Sequence, residues 1–129
     1  MEFNSINVLR KESKLILESL KADRISYTGP EDEDFNKWRK SLKKTGIFAI
    51  FIDNHLFYIG KSKTPSTRLK EHFILPSDGG YTKNHLIDEC LRRKNKIEAS
   101  FQPVPGVIYS SIEELIIKKE QPHWNYKKS

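Results

Sequence analysis

The sequence predicts an α+β fold, a small sheet flanked by helices, with an N-terminal helical extension. Three observations carry that prediction. Two Ile- and Phe-rich runs flank a turn within residues 46–60, a third alternating run lies near 97–103, and helical spacing prevails elsewhere. The order is ββααβα behind an arm, with residues 1–45 as the arm and 46–129 as the domain it packs on.

Residues 6–22 place Ile6, Leu9, Ile16 and Leu20 at helical spacing, and Leu15 and Leu17 widen the stripe. The turn segment SYTGPEDED follows. Its acidic end, Glu31 to Asp34, suits the start of a second helix through Trp38 to about Leu42, because carboxylates there face unpaired amide hydrogens. GIFAIFI and LFYIG are strand-like runs separated by Asp53-Asn54-His55, so they read as a β-hairpin. Thr64 can cap the next helix. Pro65 suits that helix's first position, where an amide hydrogen is not needed, and the helix extends to about Leu75. PSDGGY breaks it, and another helix spans roughly Thr82 to Arg93. KIEASFQPV alternates as a third strand, ended by Pro103, Pro105 and Gly106. The last helix begins near Ser110 and stops before Pro122, since a residue preceding proline is pushed out of the helical region.

With 129 residues, 36% hydrophobic and 31% charged, the chain can bury one core and carries no stretch long enough to cross a membrane. Its start, MEFNSINVLRKESK, lacks the apolar run of a signal peptide, so a cytoplasmic location without membrane contact is expected. Cys90 stands alone and cannot form an internal disulfide, and no Cys/His spacing suggests zinc. The net charge of +6 suits a polyanionic partner. That charge is spread along the chain, with no repeat, low-complexity tract or basic tail.

The segment FYIGKSKTPSTRLKEHF, residues 57–73, gathers Tyr58, Gly60, Lys61, Arg68 and His72 around one corner. Arg68 and His72 lie one helical turn apart and are expected to share a face opposite Leu69 and Phe73. Arginine's planar fork suits a phosphodiester gaining charge, and histidine can exchange a proton near neutral pH. Lys61 can touch phosphate or lower the pKa of Tyr58, which at the ordinary value of about 10 is a poor base. On the last helix Ile112, Leu115 and Ile116 cluster on one side, and Glu113 falls between Ile116 and Ile117, facing the sheet or its edge. An inward carboxylate is costly unless paired or metal-bound. The alternative is a capping box, Ser110-x-x-Glu113, although Ser111-x-x-Glu114 offers the same service from the exposed side. Asn125 can bind phosphate, orient Glu113 or make a turn. Trp38, Tyr81 and Trp124 read as core or its cover, His55 and His123 as surface, and Cys90 as packing.

The ordered set Gly46-Ile47-Phe48, Tyr58-Ile59-Gly60, Arg68, Glu113 and Asn125, with the closing segment SSIEELIIKKEQPHWN, resembles the GIY-YIG nuclease family over residues 46–125. The resemblance implies a three-stranded antiparallel sheet, a catalytic arginine at Arg68 and a metal-binding glutamate at Glu113. It also implies a metal-dependent DNA endonuclease using Mg²⁺ or Mn²⁺ and leaving 5′-phosphate and 3′-hydroxyl ends. The expected catalytic set is Tyr58, Lys61, Arg68, His72 and Glu113; Asn125, Lys61 and Gly60 are expected to contact substrate. Phe48 departs from the family, whose first tripeptide usually ends in tyrosine. The alternative is therefore a catalytically impaired nucleic-acid-binding module. With little room for a further DNA-binding domain, low specificity is expected, or specificity shared across a homo-oligomer.

Overall fold

The structure, a computed structural model, describes residues 2–74 and 82–125. Helix α1 (Glu2–Ala22) leads to a two-residue strand β1 (Ile25–Ser26) and helix α2 (Glu33–Lys40). The hairpin of β2 (Gly46–Ile52) and β3 (His55–Ser62) follows, then α3 (Pro65–Phe73), α4 (Asn84–Arg92), β4 (Ile97–Pro103) and α5 (Tyr109–Glu120). All strand pairings are antiparallel in the order β1-β4-β2-β3, so β2 is central and β3 is an edge.

The sheet has four strands where three were expected. The extra one is β1, whose Ile25 and Ser26 pair with Ala99 and Glu98. Two residues carry no alternation that a sequence pattern could reveal; the exposed edge of β4 selects them. The hairpin turn is as expected, with Asp53 and Asn54 both at positive φ, the geometry that matches strand twist. Asp32 caps α2 by accepting from the Phe35 amide. Thr64 makes no side-chain cap on α3; its own amide donates to Ser62 Oγ at 2.8 Å. The expected helix end at Leu75, the PSDGGY break and Tyr81 lie outside the described residues.

Alternation along β2 splits the core in two. Phe48, Ile50 and Ile52 face α2, α3 and α4, while Ile47, Ala49 and Phe51 face α1 and α5. The arm contributes to both layers, Tyr27 and Phe35 to the first, Leu17 and Leu20 to the second. Tyr27, Phe35 and Phe73 form an aromatic trio with centroids 4.7–4.8 Å apart, Tyr27 edge-on to both phenylalanines and these tilted to each other. Arg39 of α2 is buried and donates to the Ser66 carbonyl at 3.0 Å, and Tyr27 Oη donates to the Phe73 carbonyl at 2.9 Å. Both ends of α3 are thereby pinned by the arm, which sets the position of Arg68.

Candidate active site at the edge of strand β3

Gly60 sits opposite Phe48 in the hairpin register, and the Phe48 ring lies over it. A Cβ at position 60 would stand 2.4 Å from Phe48 Cζ, so only glycine fits. Gly46 is needed likewise, under Phe101 and the Gln102 carbonyl. The glycines of the two tripeptides are thus explained by cross-strand packing, and Gly60 is buried.

Tyr58, two residues before Gly60, lies on the same face, and its hydroxyl is hydrogen-bonded to Arg68. Burial pushes its pKa above the usual value, the Arg68 charge pulls it back in part, and Glu113 raises it again. Arg68 Nη1 also donates to Glu71 Oε1 at 3.0 Å. Lys83 stands over the Tyr58 ring at 5.3 Å.

His72 is fully buried, which corrects the expected exposed face shared with Arg68. The reason is that α3 is covered on two sides. Leu69 and Phe73 pack into the core completed by the arm, while the imidazole packs under the sheet, 5.4 Å from the Phe48 ring and 5.3 Å from Tyr58. Its Nδ1 accepts from the Lys83 backbone amide at 3.0 Å, which leaves the proton on Nε2. That Nε2 is buried and has no partner among the described residues. Burial, then the charges of Arg68 and Lys83, push the His72 pKa down to about 3.

Lys61 is three residues from Tyr58 and therefore on the other face, opposite Ile47. Its ammonium donates to Ser110 Oγ at 2.8 Å and pairs with Glu113 Oε1 at 3.6 Å. It does not depress Tyr58, a correction that the odd spacing 58/61 already contained. Ser110 is thereby bonded to Lys61, and no side chain caps α5, so the capping-box alternative for Glu113 falls. Glu113 keeps 16% of its side-chain exposure; burial raises its pKa, and Lys61 offsets part of that rise.

Asn125 has both polar atoms engaged. Its Oδ1 accepts from the Ile59 amide at 2.8 Å and its Nδ2 donates to the Ile59 carbonyl at 2.9 Å. With the Trp124 amide donating to the Phe57 carbonyl, the C-terminal segment covers the outer edge of β3. Asn125 is thus a strut for the strand that carries Tyr58.

The site straddles β3, with Tyr58, Arg68 and His72 on one face and Lys61, Ser110 and Glu113 on the other. Sequence reasoning gave Ser110 to a capping box in place of Lys61, and it missed Glu71 and Lys83. Glu71 follows Arg68 by three residues, a helical pairing that was legible; Lys83 carried no such signal. Among the described residues no cluster of three or more His, Cys, Asp or Glu is placed to hold a metal ion. The carboxylate available to one is Glu113, half-buried beside the cation of Lys61.

No protein-family model matches the chain, and no curated protein matches it in sequence. Solved structures do match. The GIY-YIG N-terminal endonuclease domain of UvrC from Thermotoga maritima, a tyrosine-to-phenylalanine mutant bound to the catalytic divalent cation, gives a TM-score of 0.57 at 22% identity. The match covers 75% of this chain and 99% of that one. A second such mutant of that domain, also cation-bound, gives 0.57 at 21% over the same shares. A glutamate-to-alanine mutant of bacteriophage T4 EndoII gives 0.59 at 24%, over 87% of this chain and 96% of that one. The chain therefore has the GIY-YIG fold.

Proposed function

We propose that the chain is a metal-dependent endonuclease that hydrolyses DNA phosphodiester bonds to 5′-phosphate and 3′-hydroxyl ends. The observation that carries this reading is the meeting of Tyr58, Arg68 and His72 with a desolvated Glu113 at one strand edge. Its neighbours in fold are endonuclease domains, two of them bound to a catalytic divalent cation.

Glu113 suits a hard cation that keeps most of its waters, as Mg²⁺ does, and Mn²⁺ accepts the same oxygen donors. Such an ion supplies positive charge to the leaving 3′ oxygen. Arg68, held by Glu71 and Tyr58, neutralises the charge that builds on the phosphate. His72 is neutral at working pH, and its proton sits on Nε2 because Nδ1 is taken. It therefore carries a proton it can donate and does not act as the base. Tyr58 keeps its proton at neutral pH while the Glu113 charge is uncancelled; a cation held on Glu113 would remove that part of the rise, and Tyr58, beside Arg68, would then take the proton of the attacking water. Lys61 acts on Glu113 from the opposite face.

The second reading, a nucleic-acid-binding module without cleavage, has Phe48 as its observation. That ring has no hydroxyl to accept from His72 Nε2. Nicking of supercoiled plasmid by the parent and by Glu113→Gln, with Mg²⁺, Mn²⁺ or EDTA, separates the two. Cation-dependent nicking lost in Glu113→Gln, with DNA binding kept, is the expected result. A parent that binds DNA and cuts nothing belongs to the second reading.

A further inference from the structure

On the sheet face away from α3, a groove of about 590 Å³ runs between α1 and α5. Arg10, Lys11 and Lys14 line it from α1, Lys118 and Lys119 from α5, and among the described residues no carboxylate lines it. Its floor is apolar, with Leu17 and Ile116 buried beneath the cations. Among the described residues none of these five side chains makes an ion pair, and Glu120 on the same seam is taken by Lys21 at 3.4 Å. Five like charges around one groove repel one another and contribute nothing to folding by themselves. They also amount to most of the net charge of +6, in a chain with no basic tail.

We propose that this groove is a second nucleic-acid contact, which binds the phosphate backbone away from the bond being cut. The choice of DNA as the polyanion rests on the nuclease reading; the need for a polyanion rests on the groove. Lys118 follows Glu113 by five residues on α5, about 7.5 Å along the axis and about 140° around it, so the groove and Glu113 lie on different sides of one helix and a nucleic acid touching both passes around α5. The aliphatic stems of the lysines lie along the apolar floor and leave their ammonium groups at the rim for phosphates. This assigns the N-terminal arm a role in holding substrate, beyond completing the core.

The test compares the full chain with Lys14→Glu/Lys118→Glu and with Lys14→Gln/Lys118→Gln, all checked for folding by circular dichroism. Binding to a labelled duplex of about 30 base pairs is measured by anisotropy in EDTA across a salt series, so cleavage plays no part. The Glu pair is expected to weaken binding on the order of tenfold or more at moderate salt, and to flatten the log K against log salt slope by about 2. The Gln pair gives the same change in slope with a smaller loss. The rate of cleavage at saturating DNA stays within about twofold. Unchanged affinity and slope overturn the groove proposal even if the parent cuts DNA. The expected slope change in a parent that cuts nothing keeps the groove and rejects the nuclease. Loss of binding to phosphatidylserine vesicles with duplex binding unmoved also overturns the proposal, in favour of an anionic membrane.

Discussion

Two half-buried carboxylates in this molecule, Glu98 and Glu113, keep similar exposure, 14% and 16%, and differ in what surrounds them. Glu98 Oε1 accepts from Arg24 at 3.2 Å, and its Oε2 lies 3.8 Å from Lys96. That same Arg24 donates to the Lys21 carbonyl and to Asn54 Oδ1, and it stacks on Phe51 at 4.0 Å. Both carboxylate oxygens of Glu98 thus face a cation, and Arg24 ties α1, the hairpin turn and β4 together. Glu113 has one lysine at 3.6 Å, on a flexible stem already hydrogen-bonded to Ser110. Its raised pKa records a charge that is not fully compensated. Burial alone does not separate a structural carboxylate from a functional one; the count of satisfied lone pairs does.

The largest effect that sharpens this contrast is Glu113→Gln. Plasmid nicking should fall by at least about 10³-fold, the scale of losing several kcal/mol of charge stabilisation. Its urea midpoint should stay level or rise, because a desolvated charge has been removed. Glu98→Gln should do the reverse, costing about 1–3 kcal/mol of stability with its partners left behind, while the cleavage rate of the folded enzyme is kept. Equal catalytic loss in both variants would break the contrast.

Next in size is Arg68→Ala, with an expected loss of about 10² to 10³ in the rate at saturating DNA. A loss confined to KM would make Arg68 a backbone contact. His72 tests the site through stability. Its folded pKa of about 3 lies below the ordinary value of about 6.5, so the unfolded chain binds the extra proton in between. Its contribution is complete above pH 6.5 and is lost as pH falls towards 3. His72→Gln should therefore flatten the decline of urea-unfolding stability across that window, and a variant curve parallel to the parent's would contradict the buried neutral imidazole.

Lys61→Met should lower the half-saturating Mg²⁺ concentration by about two- to fivefold, since an ion pair worth up to about 1 kcal/mol no longer competes for Glu113. A higher Mg²⁺ requirement would instead place Lys61 on the phosphate. The smallest change is expected for Phe48→Tyr, below about threefold in rate, since one hydroxyl is added beside groups already in place. Activity appearing only in that variant would mean that the parent is a binding module.

The sequence by itself determined the order of the helices and of the three long strands, the hairpin turn at Asp53-Asn54, and the placement of Glu113 at the sheet's edge. Each of these follows from short-range chemistry: a period of two or 3.6, a proline that stops a helix, a positive φ at a turn. The spacing 58/61 also contained the separation of Tyr58 from Lys61. Only the tertiary structure decided how polar groups were satisfied. Asn125 pairs with Ile59 across 66 positions, Lys61 reaches Ser110 across 49, and Arg24 reaches Glu98 across 74. The burial of His72 likewise depends on α3 being covered from two sides, by the sheet and by the core that the arm completes. A local pattern shows which side of a helix turns inward when one partner covers it. It cannot show that a second partner, here Phe48 and Tyr58 of the hairpin, will cover the other side.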